Sequence, residues 1–174
     1  MGKLRKMLGD IHSEECTELM ALIGSQSKQR LGFWAISYAK SAYLPILQIR
    51  NSELSQFENA VALCEEYLEG KYSPAQIKSV LRELRQLAAG IQDPISQAAA
   101  RAVSTACAAI QTPSNAFGFL LYGAAATAYQ RAGLEQSQNI YDRLAAEELS
   151  HALESLRHAA VPDEPNPVQI NWNC

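Results

Sequence analysis

The chain has 174 residues, 48% of them hydrophobic and 19% charged. That is too apolar for a disordered segment and long enough for one domain that buries roughly 70% of its unfolded surface. Fifteen Lys and Arg against eighteen Asp and Glu leave a net charge of −3, so no global basic field points to nucleic acid or to an anionic membrane.

No apolar run approaches the roughly 20 residues of a membrane-spanning helix. The basic start, MGKLRKMLGD, is followed by Asp10, His12, Glu14 and Glu15, where a signal peptide would need an apolar stretch. Cys16, Cys64, Cys107 and Cys174 lie far apart, with no CxxC and no Cys/His pair at zinc spacing. They read as three small apolar core residues and one tail thiol, and a reducing cytoplasm is the expected compartment.

Helix starts and stops punctuate the chain. Ser13 caps a first helix with Cys16, Leu19, Met20 and Ile23 on one face, and Gly24 is expected as a left-handed stop. Ser27 opens a second, through Leu31, Trp34, Ile36 and Tyr38, which Pro45 should kink on its way to about Ile49. Ser52 is the expected cap of a third, with Leu54, Phe57, Val61, Cys64 and Leu68 as its stripe and Gly70 as its stop. Ser73-Pro74-Ala75-Gln76 is the clearest local signal: cap, proline in the first turn, and capping box. The helix it opens should bury Ile77, Val80, Leu81, Leu84, Leu87 and Ala88.

Asp93-Pro94 and Thr112-Pro113 repeat the cap-plus-proline device. They open an alanine-rich helix to about Ile110 and a second helix to Ala132, which should form a hairpin. Gly118 and Gly123 lie inside the latter, where each glycine costs about 1 kcal/mol relative to alanine. Close backbone approach to the alanine-rich neighbour would account for them, and the same two glycines also offer a face for self-association. A long last helix should start near Glu135, run to about Ala160, bury Ile140, Leu144, Leu149, Leu153 and Leu156, and expose Glu147, Glu148 and Glu154. The tail carries three prolines, and its alternating Val168, Ile170 and Trp172 would let it lie extended with Trp172 docked on the body. The expected architecture is therefore all-α: a single-domain bundle of about seven helices over residues 1–161, followed by a proline-containing tail over 162–174.

Catalytic signals are sparse. Glu148 and His151 stand three apart on one helical face, the spacing of a di-iron half-site, but no other histidine has a glutamate three residues before it. There is no GxSxG elbow and no phosphate-binding glycine loop. His151 and His158 share a face, yet the cysteines sit on apolar stripes, where a thiol is inert. No cofactor and no metal are expected. Charge is uneven: residues 135–174 hold two Lys/Arg against seven acids, and Glu65, Glu66 and Glu69 crowd one helix end. Of the aromatic set Phe33, Trp34, Tyr38 and Tyr43, either Phe33 or the Trp34/Tyr38 pair is left to face outward.

The segments LGFWAISYAKSAYLPIL, ALCEEYLEGKYSPAQIK, DPISQAAARAVSTACAA and AFGFLLYGAAATAYQRAG follow in that order over about residues 31–133. In this the chain resembles the all-helical immunity proteins of bacterial toxin systems. That pattern joins a Trp-Ala helix with a Leu-Pro step to a Pro-capped, alanine-rich helical pair. The resemblance implies a non-enzymatic helical binding module that sequesters a cognate toxin. The family pattern places three histidines in the alanine-rich pair; Thr105, Gln111 and Asn115 stand there in this chain. The expected partner-binding residues are Glu65, Glu66 and Glu69 on one acidic edge and Glu147, Glu148 and His151 on the other. The alternatives are a metal-binding helical enzyme or carrier built on Glu148 and His151, and a self-associating structural protein built on Gly118 and Gly123.

Overall fold

A computed structural model describes residues 2–50 and 55–173. It contains eight α-helices: α1 (Glu14–Gly24), α2 (Lys28–Ala42), α3 (Leu44–Arg50), α4 (Ser55–Leu68), α5 (Pro74–Ala89), α6 (Pro94–Ala108), α7 (Asn115–Ala132) and α8 (Gln138–Ala159). No strand occurs among the described residues. The fold is all-α and multi-helical, and α2 with α3 correspond to the single kinked helix expected around Pro45.

The caps explain the starts. Ser13, Ser27, Ser73, Asp93 and Ser137 are each extended, and each side chain accepts the backbone N–H three residues on. One such cap contributes about 1 kcal/mol. Ser73 and Gln76 complete the reciprocal capping box. Asp93 does more than cap: its carboxylate takes Arg50 in a two-pronged pair at 2.7 and 3.0 Å. The Arg50 hydrogen bond is the main reason its pKa falls to about 2.

Several expectations need correction. The helix at Pro45 is not merely kinked: it breaks at Tyr43, whose N–H still reaches Ala39 O, and restarts at Leu44. Gly24 is the last residue of α1 and is not left-handed; the glycines with positive φ are Gly9, Gly70 and Gly133. Thr112-Pro113 caps nothing, because a turn carries the chain to Asn115 and Ser114 makes no side-chain cap bond. The last helix starts at Gln138 rather than Glu135. Ser52 lies outside the described residues.

The alanine-rich helix is the hub. Ten residues of α6 are buried, from Ile95 through Ala98–Ala100 to Cys107, so it is apolar nearly all round, as an interior helix must be. It packs most extensively on α7 and also meets α2, α3, α4 and α5. Helix α8 covers α7 and carries α1. α5 lies at the margin: Ile77, Leu84 and Ala88 are buried, while Leu87 is exposed. Cys16, Cys64 and Cys107 are buried free thiols. At Cys107 the hydrogen bond that its thiol donates to Cys64, and then burial, push the thiol pKa up, which keeps it unreactive.

The tail returns to the body. Buried Gln26 donates to Val161 O at 3.0 Å and accepts from Val161 N at 2.9 Å, and its own carbonyl accepts from Val168 N at 2.9 Å. Trp172 meets Phe117 edge to face at 5.8 Å.

Candidate functional site

The six expected contact residues separate into three environments. Glu65 takes Lys40 at 3.1 Å, Glu66 accepts the Tyr72 hydroxyl at 2.7 Å, and Glu69 lies 3.5 Å from Lys71. At the crowded acidic end of α4, Glu65 and Glu69 are thus compensated by lysines and Glu66 by a hydroxyl donor, which offsets the unfavourable helix dipole there. On α8, Glu147 pairs with Arg131 at 2.9 Å, and both it and His151 are exposed. Glu154 and Glu18 share Arg157, linking α8 to α1.

Glu148 is not on the exposed face. It is 7% exposed, which makes it the buried acidic side chain of the described residues. Its Oε2 accepts the Tyr43 hydroxyl at 2.5 Å and the Tyr38 hydroxyl at 2.8 Å. Burial raises its pKa above the usual carboxylate range, while the tyrosine hydroxyls and nearby His151 pull the other way. Burial and then the Glu148 charge push both phenols well above their ordinary value.

This arrangement accounts for the break at Tyr43. Leaving the helical path lets its ring enter the core, where Trp34, Tyr38, Tyr43 and Phe119 stack at tilted and edge-to-face angles with centroids 5.5 to 6.3 Å apart. Gly123 of α7 makes room: a Cβ there would fall 2.0 Å from Tyr43 Cζ. Gly123 therefore faces Tyr43 inside the core and is not available to a second copy of the chain. Trp34 is buried and donates its Nε1 hydrogen bond to Ser155 Oγ at 3.1 Å, whereas Phe33 is 46% exposed. The outward aromatic is Phe33.

A signal for Glu148 was present in the sequence. Tyr141, Leu144 and Ala145 precede it, and Ala152 follows by one turn, so it stands within the apolar stripe of α8. Among the described residues, no three His, Cys, Asp or Glu side chains come together to hold a metal ion. His151 and His158 are exposed while three cysteines are buried, so no Cys–His pair forms among the described residues.

Several open clefts mark the surface among the described residues. One, about 750 Å³, runs between α2 and α8 and is lined by Arg30, Phe33, Ser37, Ser155 and His158. A second, about 500 Å³, lies where Asp10, Glu15 and Asp142 approach across the N-terminal segment, α1 and α8. Another, about 360 Å³, lies between α5, α6 and α7 and includes Thr105 and Asn115. Gln111 is engaged elsewhere, donating to Pro74 O at 3.0 Å.

Fold and surface together define an all-α, multi-helical domain whose buried carboxylate is held by two phenols and whose clefts open outward. No described helix is long and apolar enough to cross a membrane. The sequence model of the Imm-5 like putative immunity protein family matches residues 21–156, and the chain belongs to that family. No curated protein and no solved structure is matched by the chain.

Proposed function

We propose that this chain is a non-enzymatic immunity protein that binds a cognate toxin in the cytoplasm and blocks its action. The observation that carries this reading is membership of the immunity-protein family over most of the chain. The physical character of the molecule supports it. A blocking protein needs a rigid body with a complementary surface, and no reactive group of its own. The serine and aspartate caps and the alanine-rich hub give rigidity, and Phe33 beside the α2–α8 cleft offers an exposed aromatic anchor.

Contact falls on charged side chains that are already accessible. Glu147 and His151 on α8, with Glu65, Glu66 and Glu69 at the end of α4, form the proposed binding set. Glu148 drops out as a direct contact because it is spent on Tyr38 and Tyr43. Rim ion pairs such as Glu147–Arg131 exchange partners at little cost, since an exposed pair contributes at most about 1 kcal/mol.

The test is protection. Co-expression with each toxin domain encoded beside this chain's gene should restore growth for one of them, and the purified pair should form a stable complex. Glu147→Lys with Glu65→Lys should weaken that complex at least tenfold while leaving thermal stability unchanged. Failure of every neighbouring toxin to be neutralised would overturn the proposal.

A further inference from the structure

The cleft between α5, α6 and α7 gathers cations, and Arg5 continues the same basic surface beside it. Lys6 from the N-terminal segment, Arg85 of α5 and Arg101 of α6 all line it, and no described Asp or Glu does. Lys40, Arg50, Lys71, Arg131 and Arg157 each have an acidic partner, whereas the cations of this cleft do not. Lys6, Arg85 and Arg101 have neither an ion pair nor a hydrogen bond among the described residues. Three like charges gathered in one concavity repel one another, and low-dielectric walls sharpen the potential they make. In a chain of net charge −3, such a focus is local and not a reflection of overall composition.

A second observation points the same way. Ser104 lines this cleft, and its hydroxyl has no protein partner among the described residues and opens to solvent there. Thr105 and Tyr122 add two further hydroxyls that are likewise unengaged. Cations and hydroxyl donors around a void of about 360 Å³ are the chemistry of an oxyanion site. Arginine in particular matches phosphoryl oxygens with paired donors.

Charge count selects the ligand. A single carboxylate would leave two of the three cations uncompensated, whereas a diphosphate carries two to three negative charges near neutral pH. We infer that the α5–α6–α7 cleft binds a diphosphate-bearing small molecule through Lys6, Arg85, Arg101 and Ser104. Leu81 and Ala108 provide an apolar wall for an organic group if the diphosphate is an ester. This inference is independent of toxin binding, because none of these residues belongs to the proposed contact set.

Calorimetric titration of the full chain with pyrophosphate and, separately, ADP tests it. At low salt at least one should bind with a Kd near or below about 1 mM, weakening severalfold at about 0.3 M NaCl as ion pairs are screened. Tighter binding of ADP would identify an organic ester as the ligand; tighter binding of pyrophosphate would identify the free anion. Arg85→Gln with Arg101→Gln should weaken binding at least tenfold, and Ser104→Ala severalfold, with circular dichroism unchanged. Absence of heat with either compound at several millimolar would overturn the site. So would equal binding by the double variant, or tighter binding of a glutamate-rich peptide at the same cleft.

Discussion

Helix α7 is held on two sides by opposite means. Toward α6 the contact is made of small side chains: Ala98, Ala99, Ala102 and Ala106 on one helix, Ala124, Ala125 and Ala128 on the other, all buried. Toward α2 and α8 it is held by large side chains: Phe119 packs edge to face on Trp34, Tyr38 and Tyr43, and Tyr43 is fitted against Gly123 and fastened to Glu148. The first contact is spread over many near-equivalent positions, so no single one dominates it. The second is concentrated, and it couples three features that sequence alone keeps apart: a broken helix, an interior glycine and a buried acid. Packing of the first kind tolerates change by small adjustments, whereas the second has no slack.

The sharpest way to break the concentrated contact is Gly123→Ala. Alanine is the better helix former by about 1 kcal/mol, so propensity alone predicts stabilisation. Its Cβ, however, would sit 2.0 to 2.4 Å from Tyr43 ring and hydroxyl atoms. Tyr43 is wholly buried among Tyr38 and Phe119 and bonded to Glu148, so it has nowhere to move. The expected net loss is about 3 kcal/mol, a fall in Tm of roughly 10 °C. A Tm equal to or above wild type by calorimetry would show that the ring is not fixed as described.

The carboxylate end of the same contact carries a smaller and pH-dependent effect. Glu148→Ala leaves two tyrosine hydroxyls without their acceptor, one of them fully buried, and should cost about 1 to 3 kcal/mol. Glu148→Gln keeps an acceptor oxygen and removes the charge. Because burial raises the Glu148 pKa, the folded chain holds this proton more tightly than the unfolded one. The group's contribution is therefore most favourable below the ordinary glutamate range, and it declines as pH rises through the unfolded value toward the raised folded value. Urea melts from about pH 4 to 7 should show the Gln variant gaining on wild type as pH increases. A constant difference across that range would mean that Glu148 titrates alike in both states.

These residues also mark what was legible in the chain. The diffuse contact could be read directly, since alanines in a Pro-capped segment and apolar stripes at helical spacing specify helices and their buried sides. The caps at Ser13, Ser27, Ser73 and Asp93 were legible for the same reason: each is a local hydrogen bond between near neighbours. The concentrated contact was not, because its parts are 105 residues apart along the chain. Nothing local to Tyr43 announces an acceptor on α8, and polarity alone places Glu148 on the outer face although it stands within the apolar stripe. Likewise Lys6, Arg85 and Arg101 come from three separate segments, and only the packing of α5 beside α6 and α7 gathers them.

Gly118 sharpens the comparison from the other side. It lies in the same helix as Gly123, five residues earlier, and by composition the two are indistinguishable. A Cβ at Gly118 would meet its nearest neighbours, Thr105 Cγ2 and Asn115 Oδ1, at 3.8 and 3.9 Å, which is ordinary contact distance. Its φ is not positive, so alanine fits the backbone as well as the space. Gly118→Ala should therefore realise the helix-propensity gain in full, about 0.5 to 1 kcal/mol, and raise Tm by roughly 2 to 4 °C. The same substitution five residues apart is thus expected to change sign, and only the tyrosine opposite one of them decides which. Destabilisation at Gly118 would show that the α6–α7 contact is as intolerant as the one at Tyr43, and the distinction between the two sides of α7 would fail.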